Sequence, residues 1–177
     1  INISKDIETK PYNAAKLKGY LPELRGMTVK KPKEFLPRMH EIFAECGIAF
    51  VLLPHLKNSG VNGAVKWVTD DRVVLAINNR GVYADKFWFS LFHEIRHVLQ
   101  QKIKKVFISS TLEEMMDINN KLEIDADKFA KNYLISPEDY RRLTPSRYIS
   151  DDEIVEFAKT IGIHPGIVAG RLQHEGI

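Results

Sequence analysis

The stretch Phe87-Trp88-Phe89-Ser90-Leu91-Phe92-His93-Glu94-Ile95-Arg96-His97-Val98-Leu99 decides how this chain is interpreted. Residues four apart on an α-helix share a face, so His93 and His97 present two imidazole nitrogens to one point. Glu94 falls in the same sector, while Ile95 points to the opposite side, where a core is expected. The predicted apolar stripe of this helix consists of Phe89, Phe92, Val98 and Leu99.

Two histidines and a glutamate at this spacing are typical of zinc peptidases. Zinc lowers the pKa of a bound water from about 15.7 toward about 7, and Glu94 would take the proton and pass it to the leaving amine. The alternative is an amphipathic helix with two hydrogen-bonded histidines. Because a catalytic zinc takes three protein ligands and a water, His93 and His97 leave one ligand to be found elsewhere.

The third ligand is predicted in Glu123-Ile124-Asp125-Ala126-Asp127. Glu123 is the first choice because Asp127, one turn further on, can hold a ligand histidine through its free N–H. Asp125 is the rival ligand, and an ordinary solvent-facing acidic surface is the alternative for the whole segment. An apolar stripe that borders the carboxylates argues against the solvent-facing alternative. It is formed by Leu122, Ala126, Phe129, Ala130 and Leu134.

Composition favours one compact domain in a reducing compartment. The chain has 177 residues, of which 44% are hydrophobic, and a formal net charge of +3. Cys46 is its only cysteine, so no internal disulfide forms. No apolar run approaches the ~20 residues of a membrane span, and no signal-peptide pattern is present. We therefore expect a cytoplasmic protein that does not contact a membrane.

The predicted fold class is α+β, with a small, mainly antiparallel sheet and a helix that carries the HExxH motif. Asp85 is the expected N-cap of that helix. Residues 1–46 are predicted as an N-terminal helical segment, 47–149 as a zincin-like core and 150–177 as a C-terminal helical hairpin packed on the core. The expected strands are Ile48–Leu53, Gly63–Val68 and Arg72–Ile77, the last two joined by the hairpin break Thr69-Asp70-Asp71.

The tail has a second interpretation, because Phe157 to Leu172 has the spacing of a helix-turn-helix. A packed hairpin is favoured because its second helix offers few base-reading side chains besides Arg171, Gln173 and His174. DNA contact is accordingly expected through an upstream domain outside this chain, whose sequence begins at Ile1, or less readily through the hairpin.

The chain resembles the ImmA/IrrE-type metallopeptidases, in particular the domain that follows the helix-turn-helix in HigA-like antitoxin regulators. The resemblance implies a zincin fold, zinc at His93, His97 and Glu123, and Glu94 as the base. Arg96 stands where the family commonly has glycine, so it would crowd the cleft, repel a metal or pair with an acid such as Asp127. The segments that carry the resemblance are Gly47–Val51, Gly63–Trp67, Ala84–Glu94, Glu123–Ala130 and Ile163–Gln173.

Two functions follow as predictions. The first is a zinc-dependent endopeptidase that cuts a protein partner, a regulator or repressor. The second is a catalytically silent metal-binding regulatory or antitoxin domain that serves protein interaction, with a toxin or a second copy as partner, within a DNA-binding transcriptional regulator. The oxyanion donor stays open among Tyr83, Tyr133, Tyr140, Tyr148 and His55.

Overall fold

The structure, a computed structural model, describes residues 4–53, 62–78, 83–100, 112–144 and 149–177. Within these ranges the chain is α+β, with seven α-helices, a 3₁₀ turn at Met27–Val29 and one three-stranded sheet. The strands are β1 (Ile48–Leu53), β2 (Gly63–Thr69) and β3 (Arg72–Asn78). The helices are α1 (Ala14–Gly26), α2 (Pro32–Glu45), α3 (Ala84–Leu99), α4 (Leu112–Leu134), α5 (Pro137–Leu143), α6 (Asp151–Ile161) and α7 (Pro165–Glu175).

The sheet is mixed, which corrects the prediction of a mainly antiparallel one. Its strand order is β1-β3-β2. The predicted hairpin of β2 and β3 is antiparallel, with Gly63 opposite Ile77. β1, however, runs parallel to β3, with Ile48 opposite Val73. A short apolar run has no local signal for direction, whereas a tight polar break between two strands does.

α3 begins earlier than predicted and exposes one residue of its expected stripe. Tyr83 occupies the N-cap position, and Asp85 lies in the first turn of the helix. The negative charge of Asp85 interacts favourably with the helix dipole there, but Asp85 is not the N-cap residue. Phe92 and Val98 are fully buried, as is Ile95 on the predicted core side. Phe89 is 37% exposed, because it faces a cleft rather than the core.

One hydrophobic core joins the N-terminal helices, the sheet, α3, α4 and the C-terminal hairpin. α3 is the centre of this arrangement, since it packs against α4, α7 and the sheet. Both faces of the sheet's short apolar strand β1 are covered at Ile48 to Val51, where every residue is buried. The α3 helix is therefore fixed in position on several sides, and this packing also fixes its buried polar side chains, which include Glu94 and His97.

Two arginines bind the carboxyl end of α4. Arg25 of α1 donates to the carbonyls of Tyr133 and Leu134 at 3.0 and 2.9 Å. Arg171 of α7 donates to those of Lys131 and Ile135 at 3.0 and 2.8 Å. Carbonyls at the end of a helix run short of N–H partners within it, so the two arginines stabilise this end of α4 and connect α1 and α7 to it. The Lys131 carbonyl also accepts from the Ile135 N–H at 3.2 Å. Arg171 is thus engaged within the fold, which favours the packed hairpin over base reading.

No helix in the described part of the chain combines the length and the apolar character that crossing a bilayer requires.

Candidate metal centre

Three side chains meet where α3 lies against α4. His93 and His97 come from consecutive turns of α3, and Glu123 comes from α4. The two Nε2 atoms lie 3.0 Å apart. The Oε2 of Glu123 lies 3.2 Å from Nε2 of His93 and 3.3 Å from Nε2 of His97. The structure therefore brings together all three residues that the sequence predicts as ligands.

These separations match the edges of a tetrahedral zinc site. Ligand atoms about 2.0–2.1 Å from a tetrahedral zinc are about 3.3 Å from one another. The observed edges of 3.0 to 3.3 Å describe one triangular face of such a tetrahedron. A fourth corner is left for water. Two imidazole nitrogens and a carboxylate oxygen are also a donor set that zinc commonly takes.

His93 is oriented by Asp127, as the spacing of α4 predicts. Its Nδ1 lies 2.8 Å from the Asp127 Oδ1, and a carboxylate at that distance accepts the Nδ1 proton. The Nε2 of His93 is then left with a lone pair directed at Glu123. A carboxylate behind a ligand histidine is the usual outer support of a zinc site.

His97 is oriented by Gln100, a residue that the sequence analysis does not single out. The His97 Nδ1 donates to the Gln100 Oε1 at 2.9 Å, and Gln100 is 1% exposed. The available signal is spacing, because a glutamine three residues after a helical histidine, at the C-cap of that helix, falls on the same face. Since the Asp127 carboxylate and the Gln100 Oε1 can only accept, these hydrogen bonds assign the proton of each histidine to Nδ1 and leave Nε2 as an acceptor.

The electrostatics of the centre favour a cation. Two Nε2 lone pairs and the Glu123 carboxylate converge within 3.3 Å, so each acceptor faces other acceptors. Such an arrangement is repulsive unless positive charge lies between the atoms. The groups that accept the two Nδ1 protons, the Asp127 carboxylate and the Gln100 Oε1, lie outside the triangle, so the three inward-facing atoms can bind one metal ion.

Glu94 lies beside the first residue of β2. It is 8% exposed, and a Cβ built on Gly63 would lie 2.5 Å from its Cγ and 2.8 Å from its Oε1. Any side chain at Gly63 would displace the Glu94 carboxylate, because atoms cannot approach that closely. Gly63 is the second residue that sequence reasoning misses, since nothing local shows that β2 passes over α3 at this point.

Asp125 lies outside the group formed by His93, His97 and Glu123, which favours Glu123 over Asp125 as the third candidate ligand. Its Oδ2 accepts from Nε of Arg96 at 2.7 Å and from Nε2 of Gln100 at 2.7 Å. The hydrogen bond from Arg96 holds the pKa of the Asp125 carboxyl below its usual value. Arg96 pairs with Asp125 rather than with Asp127, and its guanidinium lies over the Phe129 ring, 5.4 Å from the centroid.

The predicted oxyanion donors fall outside the ligand triangle or outside the described residues. Tyr133 stacks on Phe92 and lies ten residues beyond Glu123 on α4, about 15 Å along the helix axis. Tyr140 packs under Arg171, and Tyr83 is 64% exposed with Lys86 over its ring. His55 and Tyr148 are not among the described residues.

A cavity of about 950 Å³ opens between α3, α4 and α7, one helical turn from the ligands. Phe89 and Asp127 line the end near His93, and the Phe89 ring lies 6.3 Å from the His93 ring. Ile135 and Ile167 contribute apolar surface further in, while Lys86, Lys128 and Lys131 lie on its walls. The metal centre therefore borders a cleft large enough for several side chains of a ligand.

Comparison of the sequence with protein-family models gave no match, and comparison with curated proteins gave none either.

Proposed function

We propose that this chain is a zinc-dependent metallo-endopeptidase domain of the zincin type, with His93, His97 and Glu123 as ligands and Glu94 as the base. The observation that carries the proposal is the triangle of 3.0 to 3.3 Å formed by two Nε2 atoms whose Nδ1 protons are held elsewhere and by the Glu123 carboxylate. The resemblance to the ImmA/IrrE-type peptidases supports the same assignment, because the motif on α3 and Glu123 on α4 have the order expected of that group.

Each residue of the proposed site has its own role in the reaction. A bound zinc supplies a Lewis acid and an acidic water. Asp127 and Gln100 hold the ligand imidazoles in one tautomer, so the site needs no reorganisation when it is filled. Glu94, next to ligand His93 in the chain and largely shielded from solvent, accepts a proton from the attacking water and returns it to the leaving amine.

A peptide is the substrate that the surroundings of Glu94 suit best. β2 lies at one edge of the described sheet, and its first residue, Gly63, contacts Glu94. An extended peptide that adds to such an edge places a backbone carbonyl close to the base, while the neighbouring cleft receives side chains. We therefore propose a protein partner as substrate, a cytoplasmic regulator or repressor.

Glu94→Gln is the direct test. The amide keeps the shape of the side chain but cannot accept the proton, so we expect zinc affinity near that of the wild type and cleavage reduced at least ~1,000-fold. Cleavage is measured by mass spectrometry on a random peptide library, and zinc by chelator competition. Glu156→Gln, at an exposed position of α6, is the matched control. Equal cleavage by the Glu94 variant would contradict the proposal.

A second candidate is a metal-binding regulatory or antitoxin domain without peptidase activity, acting through protein interaction or dimerisation. The observation that favours it is the identity of residue 96, because Arg96 stands immediately before His97 where the family that the chain resembles commonly has glycine. Stoichiometric zinc in a wild-type protein that cleaves no member of the library would select this candidate over the first. DNA binding by the 177-residue chain that persists without residues 151–177 would exclude the hairpin as its source.

A further inference from the structure

A chain of hydrogen bonds runs from the surface of α3 to the buried ligand His97. Arg96 Nε donates to the Asp125 Oδ2 at 2.7 Å, and Gln100 Nε2 donates to the same oxygen at 2.7 Å. Gln100 Oε1 then accepts from the His97 Nδ1 at 2.9 Å. Arg96 and Asp125 are partly exposed, whereas Gln100 and His97 are 1% and 7% exposed.

The orientation of the Gln100 amide leaves His97 a single tautomer. The Gln100 Nε2 has two protons, and both are used, one by Asp125 and one by the Leu122 carbonyl at 3.1 Å. A flipped amide would turn its oxygen toward these two acceptors and lose both bonds. Since each unsatisfied buried polar group is costly, Oε1 faces His97, and the proton of that imidazole lies on Nδ1.

We infer that Arg96, Asp125 and Gln100 are positioning residues that fix His97 as the Nδ1–H tautomer and direct its Nε2 at the metal. Arg96 acts at the far end of this relay by holding the Asp125 carboxylate against Gln100. The arginine inside the motif thereby supports a ligand, and its charge is offset by Asp125. The inference rests on the proposed metal site, but the relay itself is defined by hydrogen bonds among residues of this chain.

The first readout is the tautomer of His97 in the metal-free full chain. Two-bond ¹H–¹⁵N correlation spectra, recorded at about pH 8.5 where an ordinary histidine is neutral, distinguish a protonated Nδ1 from a protonated Nε2. In the wild type we expect the Nδ1–H form for both His93 and His97. In Gln100→Leu we expect His97 to become a mixture of tautomers while His93, held by Asp127, stays unchanged.

The second readout is zinc affinity, measured by chelator competition. We expect Gln100→Leu to weaken zinc about 10- to 100-fold, Arg96→Gly about 3- to 10-fold, and Arg96→Lys less than Arg96→Gly. Lys121→Ala breaks an exposed ion pair of α4 with Asp117 at 2.7 Å and is the control, expected within about twofold of the wild type.

Two results would overturn the relay: an unchanged His97 tautomer in Gln100→Leu, or zinc affinity and spectra of Arg96→Gly and Asp125→Ala equal to those of the control. If Gln100→Leu does not fold, the latter two variants decide, because both positions are partly exposed. A wild type that binds no zinc would reject the proposed function, and the tautomer measurement would still decide the relay.

Discussion

The two histidines of the candidate metal centre are held in different ways. His93 is supported from the neighbouring helix by Asp127, whose side chain is 61% exposed. His97 is supported by Gln100, the C-cap residue of its own helix, which is 1% exposed and bound to two further groups. Water can replace an exposed carboxylate but cannot reach a buried amide site. The same imidazole orientation can therefore depend on an exposed contact that water can replace, as at His93, or on a buried hydrogen-bond network, as at His97. Substitutions of the residues around each histidine test this difference.

Removing one of the three proposed ligands should have the largest effect on zinc affinity. The difference between the supports of His93 and His97 should then no longer matter. We expect His93→Ala, His97→Ala and Glu123→Ala each to lower zinc affinity more than ~100-fold, beyond the range for an outer support, because two ligands hold a metal poorly. The metal content of the purified variants measures this, with Glu156→Ala as control. Zinc retained by both His93→Ala and Glu123→Ala would refute the site.

Gly63→Ala should affect Glu94, the proposed base, without affecting the two histidines. The new Cβ would lie 2.5 Å from the Glu94 Cγ, so the carboxylate must move, and a displacement of about 1 Å costs about 100-fold in rate. We expect cleavage to fall by that order while zinc affinity stays within about twofold. Gly19→Ala, in α1 with open space around its Cβ, is the matched control and should leave both unchanged. Unaltered cleavage in Gly63→Ala would show that Glu94 is not confined by β2.

Asp127→Ala should weaken zinc about tenfold, less than Gln100→Leu does. Solvent can hydrogen-bond to the His93 Nδ1 once the exposed carboxylate is gone, whereas the Nδ1 of His97 would be left buried without an acceptor. Titrations of the two variants side by side measure the difference. A larger loss for Asp127→Ala than for Gln100→Leu would show that the exposed carboxylate contributes more to metal binding than the buried amide.

Arg171→Met should have the smallest effect on the metal, because it acts at the far end of α4. Its loss removes the Arg171 donor from the Ile135 carbonyl and leaves the Lys131 carbonyl with the Ile135 N–H at 3.2 Å, so we expect the free energy of unfolding to fall by about 1–3 kcal/mol. Urea unfolding monitored by circular dichroism measures this, with exposed Arg141→Met as control. A change in zinc affinity above about threefold would mean that the helix end and the metal centre are coupled.

Much of the candidate site can be predicted from local pattern. The pair His93 and His97, the burial of Ile95 and the antiparallel hairpin of β2 and β3 all depend on spacing within one element, and each has that arrangement in the structure. The contact of Asp127 with His93 can also be predicted from spacing. Asp127 lies one helical turn after Glu123, so when Glu123 contacts α3, Asp127 lies beside α3 as well.

The sequence by itself therefore determined which residues share a helical face: His93 with His97, and Glu123 with Asp127. Only the tertiary structure decided the parallel direction of β1, the pairing of Arg96 with Asp125 and the approach of Gly63 to Glu94. The physical reason is the distance along the chain over which each kind of interaction acts. Helical periodicity is a property of a few consecutive residues, whereas these contacts depend on how the shared core sets the helices and strands against one another, and no single segment encodes that placement.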